Sequence, residues 1–166
     1  MYHSIYTIII GVCLLLLAAC ESYDFKVNDK VVYSPAPLFS DYEIADQPLG
    51  DCLQQAIADN VVTGPSQLDT LNCSHAGISD LSGLATFTGL TSLKLSSNSI
   101  RNLVELGALN GLQELILDNN QIIDPVPLYQ LPALQILDLS GNPALQCPQN
   151  NGLLRVTTLT LPAHCN

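Results

Sequence analysis

The sequence repeats itself every 22 residues, and no other feature limits its fold as strongly. Segments that begin at Leu68, Leu90, Leu112 and Leu134 can be laid over one another. Apolar residues recur at fixed offsets: Leu71 and Cys73, Leu93 and Leu95, Leu115 and Leu117, Leu137 and Leu139. Asn98, Asn120 and Asn142 share one offset, and Phe87, Leu109, Leu131 and Leu153 share another. One further step reaches Val156, with Leu159 and Leu161 in phase. A repeat of this length implies a stacked solenoid, because one unit alone cannot bury its apolar side and neighbouring units must cover it.

The pattern Leu90-x-x-Leu93-x-Leu95-x-x-Asn98-x-Ile100 has a physical reading. Alternation at Leu93 and Leu95 marks a short strand with one buried face. Stacked Asn98, Asn120 and Asn142 are expected to form a structural ladder that satisfies turn amides shut off from water. Ile100, Leu103, Leu106 and Leu109, three apart, suit a 3₁₀-like return leg. In the third unit Pro125 and Pro127 argue for an extended leg instead. Burial accounts for all these leucines, at about 1.5–3 kcal/mol each, so none of them points to a ligand.

On these residues the stretch from Leu68 to Leu161 resembles a leucine-rich repeat domain of the 22-residue class, which includes bacterial internalin-like proteins and protein-phosphatase regulators. The resemblance implies an α/β right-handed solenoid with a short parallel sheet on the concave side and 3₁₀ or extended legs on the convex side. Departures fall at the ends: Ala76 replaces the Asn of the first copy, and Ala144 and Asn150 replace apolar residues of the fourth. The expected organisation is a signal peptide over 1–19, a lipidated tether or arm over 20–45, an N-terminal helical cap over 46–67, four repeats over 68–155, and a capping strand and tail over 156–166.

Residues Ile5 to Ala19 are almost wholly apolar, a run shorter than the ~20 residues of a spanning helix. The run ends in Leu17-Ala18-Ala19-Cys20, which resembles the lipobox of bacterial lipoproteins. That resemblance implies cleavage before Cys20 and acylation of its thiol and amine. The n-region Met1-Tyr2-His3-Ser4 carries no Lys or Arg, so an ordinary secretory signal and an uncleaved anchor remain alternatives. Two or more acyl chains anchor a protein stably. Glu21 follows the cysteine, which by resemblance favours the outer over the inner membrane of a bacterial envelope.

Of six cysteines, Cys13 leaves with the signal and Cys20 is the lipidation site. An oxidising compartment favours pairing of the remaining four, and four cysteines allow three connectivities. The repeat register places Cys52 and Cys73 at one end of the solenoid and Cys147 and Cys165 at the other. Cys52–Cys73 and Cys147–Cys165 are therefore the expected bonds. No C-x-x-C spacing supports a metal or redox site, and no cofactor is implied.

Leu49, Cys52, Leu53, Ala56 and Ile57 recur at helical spacing before the first repeat, with Asp46 and Pro48 at the N-terminal boundary. Val156 to Leu161 should add a fifth strand, with Cys165 tying down the tail. In the arm, Val31, Val32, Tyr33, Leu38 and Phe39 are apolar enough to pack along the helix in extended form, and a disordered linker is the alternative.

Fifteen acids against five bases give a net charge of −10, which repels nucleic acid and anionic headgroups. Side chains alternating with the buried leucines form three exposed columns: Thr70, Ser92, Glu114, Ile136, Thr158; then Asn72, Lys94, Ile116, Asp138, Thr160; then Ser74, Ser96, Asp118, Ser140. Ile116 and Ile136 are diagonal neighbours amid Lys94, Glu114, Asp118 and Asp138, as in a small recognition patch. Strand propensity alone is the simpler explanation of the exposed Ile residues. Five strands ~4.8 Å apart make a sheet ~24 Å wide. Three exposed residues deep, it offers roughly a few hundred Å², below the ~800 Å² per partner of a standard interface. No catalytic, phosphate-binding or metal motif is present. The sequence thus predicts a monomeric, non-enzymatic envelope lipoprotein that meets a protein partner through the concave face or the arm. A structural lipoprotein without a ligand and an accessory or inhibitory subunit of an envelope enzyme are the other readings.

Overall fold

A computed structural model describes residues 24–149 and 152–165. The expected signal peptide, the expected lipidation site Cys20 and Asn150 lie outside the described residues. Among the described residues, no helix is long and apolar enough to cross a membrane. The chain divides into two compact units, at Pro37 and Leu38.

In the first unit, strands β1 (Phe25–Val27) and β2 (Lys30–Tyr33) form an antiparallel hairpin. Asn28 and Asp29 make the tight turn between them. Both have positive φ, 50° and 63°, the backbone of a two-residue turn that matches strand twist. Val31, Val32 and Tyr33 are 53%, 62% and 63% exposed. They belong to the strand that ladders with β1.

The second unit is the repeat body. Strands β3 (Thr70–Asn72), β4 (Ser92–Lys94), β5 (Glu114–Ile116), β6 (Ile136–Asp138) and β7 (Thr158–Thr160) form one parallel sheet in chain order. The register is the sequence period: Leu71 pairs with Leu93, Leu93 with Leu115, Leu115 with Leu137 and Leu137 with Leu159. Strands of three residues suffice because each coil stacks directly on the next. Leu93, Leu95, Leu115, Leu117, Leu137 and Leu139 are wholly buried, as are Ile100, Ile122 and Phe87.

Short 3₁₀ legs close the coils at Leu84–Thr86, Val104–Ala108 and Val126–Gln130. The third corrects the expectation of an extended leg. Pro125 stands at its N-cap and Pro127 in its first turn, where no N–H donor is required. The Leu128 N–H then donates to the Pro125 carbonyl at 3.0 Å.

The asparagines stack as a shared ladder. Asn120 Oδ1 accepts from the Ile100 N–H at 3.1 Å, and its Nδ2 donates to the carbonyls of Leu95 and Leu117 at 2.9 and 3.1 Å. Asn142 repeats this with Ile122, Leu117 and Leu139. Asn98 takes Gly77 and Ile78 as donors and gives to Cys73 and Leu95. The carbonyls of Leu95 and Leu117 thus each receive two side-chain amides, one from their own coil and one from the next.

Helix α1 (Gln47–Asp59) precedes the sheet and buries Leu49, Leu53 and Ile57. Its N-cap Asp46 ties two regions together. One carboxylate oxygen accepts from the Leu49 N–H at 3.1 Å, and the other accepts from the N–H groups of Ser79 and Asp80 at 2.9 and 3.0 Å. Burial raises the Asp46 pKa, but these backbone donors, Ser79 first, outweigh it and hold the group below its ordinary value.

Residues 38–45 belong to this unit rather than to a tether. Phe39 and Tyr42 pack edge-on against the buried Phe87, and the Phe39 N–H donates to the Val62 carbonyl at 2.8 Å. Leu38, by contrast, is 43% exposed. Gly83 makes this strap possible: its φ is +90°, and a Cβ there would lie 2.1 Å from the Glu43 carbonyl oxygen. Disulfides Cys52–Cys73 and Cys147–Cys165 staple the two ends of the body. Among the described residues the last strand is paired only on one side, and Leu159 is 39% exposed where its counterparts are buried.

Candidate protein-binding face

The outer face of the sheet is built by alternation. With Leu93, Leu115 and Leu137 turned inward, Ser92, Lys94, Glu114, Ile116, Ile136 and Asp138 must turn out, and all are partly or fully exposed. The ladder pairs Ile136 with Glu114 and Thr158, and Ile116 with Lys94 and Asp138. The two isoleucines thus lie diagonally, each flanked along the sheet by a charged residue. Ile136 is 38% exposed, and Ile116 is half-buried.

The charges around them are held in place. Lys94 Nζ lies 3.3 Å from Glu114 Oε1, and the Ser92 hydroxyl donates to Glu114 Oε2 at 2.6 Å. The Ser92 hydrogen bond comes first, and together with Lys94 it lowers the Glu114 pKa against a smaller opposing effect of burial. Glu114 is therefore ionised across the physiological range. Asp118 accepts from the Ser96 hydroxyl and from Asn119 Nδ2. Asp138 accepts from the Ser140 N–H at 2.8 Å. These partners fix the carboxylates' geometry before any partner arrives, which lowers the ordering cost of binding. Ser92 and Ser96 are the residues that sequence reasoning left without a role. Their position one repeat before Glu114 and Asp118 was the available signal.

The face presents one apolar pair, three hydrogen-bonded carboxylates and one ammonium. Surface hollows of about 360 and 380 Å³ lie elsewhere, on the 3₁₀ side around Val104 and Val126 and at the C-terminal end around Leu159. Among the described residues, Cys147, His164 and Cys165 bring potential metal-ligand atoms within 4.8 Å of one another. The two sulfurs share a disulfide, which removes the thiolates that a metal would need.

Comparison with known proteins agrees with this architecture. Residues 110–152 match the family model for leucine-rich repeats, in two copies. An internalin (inlF) from Listeria monocytogenes is similar in structure, with a TM-score of 0.61 and 23% identity over 72% of this chain and 37% of that one. An internalin C2 (inlC2) from the same organism gives a TM-score of 0.51 and 23% identity, over 70% of this chain and 64% of that one. No curated protein matches the sequence. Residues 110–152 thus match leucine-rich repeats, and the repeat body shares the fold of these internalin structures. The chain spans less than two thirds of the length of the internalins it resembles.

Proposed function

We propose that this chain is a bacterial envelope lipoprotein, anchored through acylated Cys20 and favouring the outer membrane, whose repeat domain binds a protein partner on the concave face of a right-handed solenoid. Right-handed winding is what parallel crossover connections adopt in ~98% of cases. The observation that carries the binding reading is the diagonal pair Ile116 and Ile136, set among pre-oriented Glu114, Asp118, Asp138 and Lys94. An apolar centre with a polar rim is the usual anatomy of an interaction patch. The lipidation reading rests on the Leu17-Ala18-Ala19-Cys20 sequence and the short apolar run before it.

In-cell crosslinking followed by pull-down, comparing the intact chain with the Ile116→Ser/Ile136→Ser double variant, tests the binding face. A partner captured by the intact chain and lost from the variant supports the reading. Identical patterns from both would remove the face from consideration. Cys20→Ala tests the anchor: the variant should leave the membrane fraction and lose the mass of its acyl chains. The exposed Val31, Val32 and Tyr33 of the hairpin favour a second reading, in which the arm engages an envelope enzyme. Deleting residues 22–37 behind an intact Cys20 would abolish capture under that reading alone.

A further inference from the structure

We propose that the C-terminal edge of the repeat sheet is a self-association surface, where two copies of this chain join strand β7 to strand β7 about a two-fold axis at Leu159. This goes beyond the concave-face reading and does not depend on it.

The edge of the sheet is open. Among the described residues, β7 has β6 on one side and no strand on the other. Leu159 is 39% exposed and Leu154 78% exposed. With Leu153, Val156 and Leu161 they line a hollow of about 380 Å³. In a solenoid a further coil would bury residues in these positions, so an edge left like this exposes core.

The backbone is oriented to pair. The Thr158 N–H donates to the Gln135 carbonyl at 3.0 Å, and the Thr160 carbonyl accepts from the Leu139 N–H at 2.9 Å. Both residues therefore direct their backbone groups toward β6. Successive residues of a strand point these groups in opposite directions, so Leu159 aims its N–H and C=O at the free edge. Thr158-Leu159-Thr160 also reads the same in both directions. An antiparallel match centred on Leu159 makes Leu159 face its own copy as a hydrogen-bonded pair, exchanging two N–H···O=C bonds. It also sets each Thr158 opposite Thr160, a favourable cross-strand pair. That is the self-complementarity a two-fold interface needs.

Charge selects the same occupant. A chain of net charge −10 repels itself over most of its surface. Among the described residues that line the hollow, none is ionisable except Cys165, which is in a disulfide. Arg155 is turned away, donating to the carbonyls of Leu128, Tyr129 and Leu131. A charged partner finds nothing here to grip, whereas a second copy meets no like charge.

Size sets the strength. A coil of 22 residues at no more than ~3.3 Å per residue has a perimeter of at most about 70 Å and encloses at most roughly 400 Å². Two apposed ends bury at most about 800 Å², which limits the contact to weak, transient association. The dimer turns a five-stranded sheet into a ten-stranded one, removes the free edge, and doubles the outer face to about 48 Å across.

Sedimentation equilibrium of the full chain in density-matched detergent tests the proposal. The expected result is a monomer–dimer equilibrium with Kd on the order of 10–100 μM. Leu159→Lys should weaken it at least tenfold. Because that change could loosen the last coil, Thr158→Lys/Thr160→Lys is the second variant. Its side chains stand on the exposed face, and it sets like charges opposite one another across the axis. It should weaken dimerisation at least as much, with unchanged circular dichroism and urea midpoint. A chain that stays monomeric at about 500 μM would overturn the proposal. A dimer that keeps its Kd in the threonine variant would overturn it as well.

Discussion

Replacing Asn120 by alanine should cost about 2–5 kcal/mol, and the contacts of its side chain show how that sum arises. Asn120 is 4% exposed. Its Oδ1 is the acceptor for the buried Ile100 N–H, so alanine leaves one buried donor without a partner, at about 1–3 kcal/mol. Its Nδ2 gives to the carbonyls of Leu95 and Leu117, but those oxygens keep the amides of Asn98 and Asn142. Losing these shared bonds adds only about 0.5–1 kcal/mol each. Urea unfolding should show the midpoint falling by about 1–2 M with the slope unchanged, given m-values of ~1–3 kcal/mol/M. Asn98→Ala should cost less, because Asn98 is only half-buried and water can replace it. The exposed Asn110 should stay within ~0.5 kcal/mol of wild type on the same change. Asn120→Asp gives the sharper test. It places a carboxylate oxygen where Nδ2 met three carbonyls at 2.9–3.2 Å, so the folded state favours the protonated acid and raises its pKa. Folded protein then binds more protons than unfolded, and this variant should regain stability as pH falls. An Asn120→Ala cost below ~1 kcal/mol, or an aspartate variant that weakens on acidification, would refute the shared-ladder reasoning.

Two further outcomes follow from the ends of the body. The Asp46 carboxyl is held below its ordinary pKa, so unfolded chain binds its proton first. Its contribution is complete above about pH 5 and is lost as pH falls through the folded pKa. Asp46→Asn should flatten that acid limb of stability against pH, and Asp46→Ala should cost about 1–2 kcal/mol in urea through loss of the helix cap. Graded reduction with a dithiol should open Cys147–Cys165 before Cys52–Cys73, since Cys147 is exposed whereas Cys73 is 2% exposed. Each loss should lower stability by about 3 kcal/mol, read as two steps of thiol labelling.

The 22-residue period by itself determined the stacking of the coils, the inward leucines and the stacked asparagines, and the family resemblance implied the parallel sheet. The period could do so because each coil touches mainly the next one, so a contact such as Leu93 to Leu115 is the sequence period seen in space. The same period assigned the outward columns that contain Ile116 and Ile136. What it could not reach are the contacts that do not repeat. Asp46 reaches Ser79 across 33 residues, Phe39 and Tyr42 find Phe87, and Gly83 clears space for the Glu43 backbone. Lys30 to Tyr33 pair with Phe25 to Val27 in a hairpin, a local pairing outside the repeat period. Pro125 and Pro127 fit a 3₁₀ turn because their positions in it, rather than their presence, decide whether a missing N–H matters. The open edge at β7 was equally hidden, since Leu159 sits in perfect phase with leucines that are buried. A residue's phase fixes the direction its side chain takes, but burial depends on what packs beyond it. Only the tertiary structure shows that, among the described residues, no strand lies beyond β7 and Leu159 is left 39% exposed.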